Sequence, residues 1–475
     1  MPLQALNDAD TLTEKCAVFG IWGSPNLQAA RLTFYGLWAL QHRGQESSGI
    51  ASSDGEKLYR HASKGLVAHA YKEEDLENLP GPIAIGHNRY STSGGVNNRH
   101  NQPFIDFDNE FAFAHNGNLP DCNKLIDFLA EREVDSSEMS DSGMMAASIS
   151  CYISDGLSLQ DAVKQAFPLF TGVFSAVAMD KENLVAFRDE CGIRPLSLGK
   201  LDDGSYVVAS ETCAFDTVGA EFIRDIEPGE LLLINKDGLT SQQLIPARPK
   251  LDIFELVYFA RPDSQLLGKR VNEIRKEFGR ELAREYPIEA DVVVPVPDSA
   301  IPVAQGFAEA SGIPFDMALI KNRYIHRTFI RPTAELRERD LQMKLNPVVE
   351  SIKGKRVVLI DDSIVRGTTM HKVVGMLFQV GAKEVHLMIS SPPVKYPDFY
   401  GINTPHHGDL IANRMTVAEM PKHLGATSVS FLSQDGMIKA TGLPADRFST
   451  SCFDGVYPID LGERASSAKA LLENE

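Results

Sequence analysis

Apolar and polar positions change their rhythm once along this chain, near residue 245. Before that point, strand-sized apolar runs turn back through short polar segments: Ser53-Asp54-Gly55, Asp180-Lys181-Glu182-Asn183 and Asp202-Asp203-Gly204. These are the residue types that tight turns select. Two helical stretches, near 142–153 and 158–169, interrupt the strands. Strands grouped into hairpins with helices set apart predict an antiparallel α+β layered domain. The stretch IPARPK, residues 245–250, is the expected linker. Beyond it the pattern becomes strand–loop–helix–strand. Strands are expected at 291–296, 355–360 and 384–389, with a helix at about 302–311. A second helix carries Met370, Val373, Val374, Leu377 and Val380 and stops at Gly381. Repeated βαβ units predict an α/β parallel sheet whose ligands bind beyond the carboxyl ends of its strands.

At 475 residues the chain is longer than one core usually serves. The two patterns are therefore read as two domains, 16–245 and 246–475, after a short segment 1–15. The longest apolar runs, such as 292–294 and 357–360, are strand-sized, so no membrane span is expected. Segment 1–15 carries Asp8, Asp10 and Glu14 and lacks the basic start and apolar stretch of a secretory signal. Six cysteines stand at 16, 122, 151, 191, 213 and 452 with no CxxC, which supports neither a disulfide framework nor a zinc site. A reducing cytoplasm is the expected setting. The net charge of −17 argues against sequence-independent nucleic-acid binding. Within this acidic chain, residues 321–344 hold seven Lys and Arg against three acids. Such a stretch reads either as a solvated face or as a trap for a polyanionic small molecule.

At the carboxyl end of one expected strand sits VVLIDDSIVRGTT, residues 357–369. Asp361 and Asp362 leave a buried strand, and Gly367-Thr368-Thr369 opens the next helix, whose N-terminal N–H groups suit a phosphate. Two carboxylates placed on that phosphate would repel it. They suit hydroxyl groups or a metal on the same ligand, which describes a phosphorylated sugar with Mg2+. Helix capping by Asp362 or Ser363 is the plainer reading of an acidic pair alone; the Gly-Thr-Thr that follows favours the ligand.

These thirteen residues resemble the phosphoribosyl-diphosphate (PRPP) motif of type I phosphoribosyltransferases. The resemblance implies that Asp361 and Asp362 meet the ribose hydroxyls and one Mg2+ per subunit. It implies that Ser363, Ile364, Val365, Arg366, Gly367, Thr368 and Thr369 hold the 5-phosphate. Val296-Pro297-Asp298-Ser299 resembles the segment that meets pyrophosphate and metal, with Ser299 the matching ligand. The basic stretch resembles the family's flexible loop, in which Lys321, Arg323, Arg327 and Lys344 would face the diphosphate leaving group.

Phosphoribosyl transfer needs a nucleophile, and LTEKCAVFGI, residues 12–21, offers a thiol at the head of an apolar strand. A strand cysteine is more often core filler. Catalytic thiols usually have a histidine partner, and none is signposted near Cys16. An α-amine, with pKa ~8 against ~8.5 for a thiol, is a competent base, provided Cys16 is the first residue of the working chain.

Leu40-Gln41-His42-Arg43-Gly44-Gln45, Gly86-His87-Asn88-Arg89-Tyr90, Ala114-His115-Asn116-Gly117-Asn118 and Ser140-Asp141-Ser142 follow in order. They resemble the glutaminase domain of the N-terminal-nucleophile amidotransferases. That resemblance implies a four-layer αββα domain with Cys16 as nucleophile on the glutamine amide and 1–15 as a propeptide. Arg89 would bind the substrate α-carboxylate and Asp141 its α-ammonium. The Asn116 side chain and the Gly117 N–H would form the oxyanion hole. Ala17 and Gly143 depart from the family's usual Gly and Glu. Some relatives carry an iron–sulfur cluster on cysteines of the second domain. Here two of those positions are Phe254 and Asp398, and the C-terminal cysteine group is reduced to Cys452, so no cluster is expected.

Together the resemblances imply transfer of ammonia from glutamine to PRPP, giving 5-phosphoribosylamine, glutamate and pyrophosphate. This is the first committed step of de novo purine nucleotide synthesis. They also imply feedback inhibition by purine nucleotides and a homotetramer, with no nucleic-acid or membrane partner. The rival readings are an amidotransferase with another ammonia acceptor, a PRPP-sensing DNA-binding regulator, and an enzyme that uses only free ammonia. The complete PRPP motif opposes the first, and the charge of −17 opposes the second.

Overall fold

The structure, a computed structural model, describes residues 16–89, 101–322, 345–400 and 407–461. Segment 1–15 lies outside the described residues, as do Tyr90, Arg323, Arg327 and Lys344.

The strands of the first half, in chain order, begin with β1 (Cys16–Trp22), β2 (Ser47–Ser53), β3 (Leu58–Lys64), β4 (Ile83–Arg89), β5 (Phe104–Asp106), β6 (Phe111–Asp121) and β7 (Thr171–Met179). They continue with β8 (Leu184–Arg188), β9 (Ser197–Lys200), β10 (Tyr206–Ala209), β11 (Glu221–Asp225), β12 (Glu230–Asn235) and β13 (Gly238–Gln243). Two sheets result, in the orders β11-β9-β10-β1-β4-β2-β3 and β13-β12-β8-β7-β6-β5, and every pairing in them is antiparallel. The three polar turns read from the sequence join β2 to β3, β7 to β8 and β9 to β10.

Side chains alternate faces along a strand, so each strand of a sandwich splits its residues between two cores. On β1, Ala17, Phe19 and Ile21 pack with the helix Ala29–Ala39 and with Phe215 of the helix Cys213–Val218. Val18 faces the other way, against Ala112, Ala114 and Val177 of the second sheet. The outer face of that sheet, including Phe113, Phe174 and Phe187, is covered by the helices Asn123–Glu131, Asp141–Ser154 and Leu159–Ala166. The layers are α, β, β, α.

Residues 245–250 form neither helix nor strand, and the N–H groups of Arg248 and Lys250 bond back to the carbonyls of Glu190 and Cys191. The second half holds a four-stranded parallel sheet in sequential order: Val292–Pro295, Arg356–Asp361, Glu384–Ile389 and Ser428–Phe431. Val292, Val294, Val357 and Leu359 pack on one face with the helix Thr368–Gln379. Val293, Val358 and Ile360 pack on the other with the helices Val271–Glu285 and Ile301–Ser311. Helices on both faces explain why these strands read as unbroken apolar runs. The central strand ends on Asp361 rather than at 360, and the next helix ends at Gln379, one residue before Val380. No helix among the described residues is long and apolar enough to cross a membrane.

Candidate active sites

Cys16 and Arg89 stand directly opposite each other, because β1 and β4 run antiparallel from Cys16↔Arg89 to Trp22↔Ile83. Strand alternation puts both on the face that carries Val18 and His87, between the two sheets. Cys16 is 8% exposed, and Arg89 is half-buried at the strand's edge.

The facing sheet supplies the polar groups. Asn116 on β6 is 1% exposed, and its Nδ2 finds no partner among the described residues. A buried amide donor left unpaired is costly, and it is what a site keeps for a charge that develops only during reaction. Gly117 beside it has φ 149°, and a Cβ there would lie 2.0 Å from the Val173 carbonyl oxygen, so the position takes only glycine.

A line of hydrogen bonds ties these strands to the third polar group. His87 Nε2 donates to the carbonyl of His115 at 3.2 Å, since that oxygen can only accept. His115 Nε2 donates in the same way to Val173 O at 3.2 Å, leaving its Nδ1 to accept from Ser142 Oγ at 2.9 Å. Burial, with Arg89 and His115 nearby, pushes His87 down to about 3, and burial also lowers His115. Both rings are therefore neutral scaffolding. Gln102 completes the frame: its Oε1 accepts from His115 N at 2.7 Å, and its Nε2 donates to Ser142 Oγ at 3.2 Å. Asp141 begins its helix after the N-cap Ser140 and accepts from Leu119 N at 3.1 Å and Ser142 N at 2.8 Å. Gln102 was not legible beforehand, because it stands alone before Pro103 with no motif around it.

The second constellation lies where the parallel sheet ends. Ser299 Oγ donates to Asp362 Oδ2, Ser363 Oγ donates to Asp362 Oδ1 at 2.8 Å, and Asp362 N donates to Asp361 Oδ1 at 2.9 Å. Both carboxyls are driven upward, chiefly by burial and, for Asp361, by the neighbouring Asp362. Two adjacent acids, Asp362 buried and Asp361 partly so, that resist ionising together are a set that a divalent cation would settle. Mg2+ usually takes only one or two protein carboxylates, with substrate oxygens completing its shell, so Asp361, Asp362 and Ser299 fit it.

The turn after Asp362 leads to Gly367, which caps the helix Thr368–Gln379 with φ 84°. Among the described residues, no N–H from Ser363 through Gly367 donates to a backbone carbonyl. Ile364 and Val365 are buried, so they present backbone only, and the Arg366 guanidinium reaches Asp409 at 3.3 Å. Lys321 is not in the loop proper. It ends the strand Leu319–Lys321, which pairs antiparallel with Leu345–Pro347, and its Nζ lies 2.9 Å from Asp298 Oδ2. Arg323, Arg327 and Lys344 lie outside the described residues.

The donors around Cys452 do not fit an iron–sulfur cluster. The Phe254 ring stacks on Phe453 with centroids 5.5 Å apart. Burial, followed by the charges of Asp252, Asp398 and Asp454, pushes the Cys452 thiol well up.

Comparison with known proteins agrees with this two-site arrangement. Residues 87–217 match the family model described as a glutamine amidotransferase domain, and residues 264–391 match that of a phosphoribosyl transferase domain. The fold and its sites thus define a glutamine amidotransferase joined to a phosphoribosyltransferase. An amidophosphoribosyltransferase of Synechocystis sp. is 45% identical over 98% of this chain and 95% of its own. That of Bacillus subtilis is 44% identical over 95% of each. A solved structure of the glutamine PRPP amidotransferase from B. subtilis, complexed with ADP and GMP, superimposes with a TM-score of 0.87 at 43% identity, covering 94% of this chain and 98% of that one. The chain belongs to the amidophosphoribosyltransferase family, the enzymes of the first committed step of purine biosynthesis.

Proposed function

We propose that this chain makes 5-phosphoribosylamine, glutamate and pyrophosphate from glutamine, PRPP and water, with the two halves, 16–245 and 246–475, each running one half-reaction. The observation that carries the reading is Cys16 paired with Arg89 beside a buried Asn116 whose Nδ2 has no partner among the described residues. The Cys16 thiol adds to the glutamine amide carbon, and its proton passes through the α-amine to the leaving ammonia. Asn116 Nδ2 and the Gly117 N–H receive the oxyanion, and each such donor is typically worth ~3 kcal/mol. Arg89 holds the substrate carboxylate by its forked guanidinium, and Asp141 holds the ammonium. Water then cleaves the thioester to glutamate.

The ammonia attacks C1 of PRPP, and pyrophosphate leaves. Ser363 through Thr369 hold the 5-phosphate, largely by backbone N–H groups at a helix N-terminus. Asp361, Asp362 and Ser299 would hold the Mg2+ that accompanies PRPP, whose charge offsets that of the pyrophosphate. Lys321, from its strand end beside Asp298, faces the diphosphate, and Arg323, Arg327 and Lys344 close over it and exclude water from the sugar cation.

For Cys16 to offer an α-amine, the Lys15-Cys16 bond must be cut and 1–15 removed. Purine nucleotides are the expected inhibitors, supported by the B. subtilis structure with ADP and GMP. A homotetramer is the expected assembly. The test is glutamate release with and without PRPP and Mg2+, for wild type and Cys16→Ala. Stimulation by PRPP, abolished in the variant while ammonia-dependent synthesis persists, is the expected result. Full activity in the variant, or active enzyme of intact mass still beginning at Met1, would overturn it.

A further inference from the structure

The strand that carries Asn116 and Gly117 is also tied directly to the phosphoribosyl half. Asn118 Nδ2 donates to the carbonyl of Phe399 at 2.7 Å, across 281 positions of chain. Its register partner on β7 is Val173. Val173, Cys191 and Ile193 form an apolar cluster with Tyr400, Ile459 and Leu461, so the same spot is joined by packing as well as by the amide.

The far side of this contact is rigid. Tyr400 is 1% exposed, and its hydroxyl donates to Ile459 O at 2.8 Å and accepts from Ile459 N at 3.0 Å. Tyr457 Oη holds the carbonyl of Pro397 at 2.6 Å. Upstream, Ser390 N donates to Asp361 O at 3.0 Å, at the end of the strand that delivers the acidic pair. The segment 390–400 therefore runs from the PRPP motif to the Asn118 amide with both ends fastened.

The near side is equally committed. Within four residues of β6, Asn116 keeps its unpaired donor, Gly117 allows the close approach to Val173, Asn118 reaches Phe399, and Leu119 N holds Asp141. A small displacement of the Phe399 carbonyl moves the Asn118 side chain. A paired strand transmits this to its neighbours because close-packed interiors deform as units.

We propose that Asn118 is a positioning residue through which the phosphoribosyl half sets the oxyanion strand, so that PRPP binding improves glutamine cleavage by way of segment 390–400. This rests on the reading of Asn116 and Gly117 as the oxyanion hole. The lever is geometric: it aligns donors and touches neither substrate.

The test uses the full-length enzyme and Asn118→Leu, which keeps the size and removes the donor. Glutamine cleavage is measured with and without PRPP and Mg2+, beside ammonia-dependent synthesis of phosphoribosylamine. Ammonia-dependent synthesis and unstimulated cleavage should persist. Stimulation by PRPP should fall about tenfold, the weight of one net hydrogen bond, in kcat rather than in KM for glutamine. Undiminished stimulation, or equal loss of stimulated and unstimulated cleavage, overturns the proposal. A second measurement does not depend on the variant folding. In wild type, PRPP with Mg2+ should slow amide hydrogen exchange in the peptide spanning 114–121, and unchanged exchange there also overturns it. If Asn116→Ala leaves cleavage intact, the oxyanion assignment itself has failed, which is a separate outcome.

Discussion

Arg43 and Glu255 form an ion pair in which neither side chain is exposed: Arg43 Nη2 donates to Glu255 Oε2 at 2.6 Å. Arg43 belongs to the Gln41-His42-Arg43-Gly44 motif of the first half, and Glu255 opens a buried π-helical turn, Glu255–Phe259, in the second. Arg43 Nε also donates to Glu211, which takes His42 Nε2 at 2.7 Å, Ser264 Oγ at 2.6 Å and Arg261 N at 2.9 Å. Arg194 joins the same cluster, 3.3 Å from both Asp252 and Glu255. Burial alone would raise Glu211, yet Arg43 and His42 hold it well below the usual carboxylate range.

Arg43→Ala leaves Glu211 and Glu255 buried against each other without their shared cation. Breaking a buried pair from one side typically costs ~3–5 kcal/mol. The midpoint of thermal unfolding should drop by several degrees or more, whereas Glu255→Gln, which removes charge but keeps shape, should cost less. Equal midpoints for wild type and Arg43→Ala would show that the cluster contributes nothing.

Gly117→Ala should cripple glutamine cleavage, because its Cβ would meet Val173 O at 2.0 Å and force the strand apart beside Asn116. Asn116→Ala should lower kcat by about 100-fold, the usual weight of one oxyanion donor, with KM for glutamine little changed. Ammonia-dependent synthesis should survive both. Steady-state kinetics with glutamine and with ammonium as alternative donors separates the two effects.

Asp362→Asn should abolish PRPP binding while leaving unstimulated glutamine cleavage in place. The carboxylate receives Ser299 and Ser363 on its two oxygens, and an amide can accept at only one. Isothermal titration of PRPP with Mg2+ reads this directly. Retained affinity would move the cation site elsewhere.

Stability should fall as solution acidifies. His87 is held neutral by burial, its pKa lowered from 6.5 to about 3. A depressed pKa means that the stability is fully present above pH 6.5 and is lost as pH falls toward 3, because the unfolded chain takes up a proton the folded one refuses. The slope for one such group is ~1.4 kcal/mol per pH unit. Proton uptake on unfolding near pH 5 should drop by about one in His87→Gln; an unchanged uptake would mean the ring is already protonated in the fold.

The parts of this protein legible in advance were those written in local pattern. The apolar runs 292–294 and 357–360 announced strands buried on two faces, and the clusters on either side of the parallel sheet use alternate residues of both. Gly367-Thr368-Thr369 announced a helix start, and Gly367 is its cap. Lys321 was read with the basic loop, because charge alone does not show that it sits on a paired strand facing Asp298. Arg43 and Glu255 gave no sign of each other. Their partnership spans 212 positions, and charged residues are ordinarily solvated.

By itself, the sequence determined the two domain grammars, the acidic strand end with the turn and helix start that follow it, and the order of the glutaminase motifs. These depend on side-chain period, turn chemistry and helix caps, all set within a few residues of one another. Only the tertiary structure decided which of those motifs meet. Cys16 faces Arg89 because β1 and β4 are register partners, the neutral His87–His115–Ser142 line forms because two sheets pack face to face, and Asn118 reaches Phe399 because two domains close on one edge. Such juxtapositions arise from the packing of distant apolar faces, and a linear pattern records the faces but not the partner each will find.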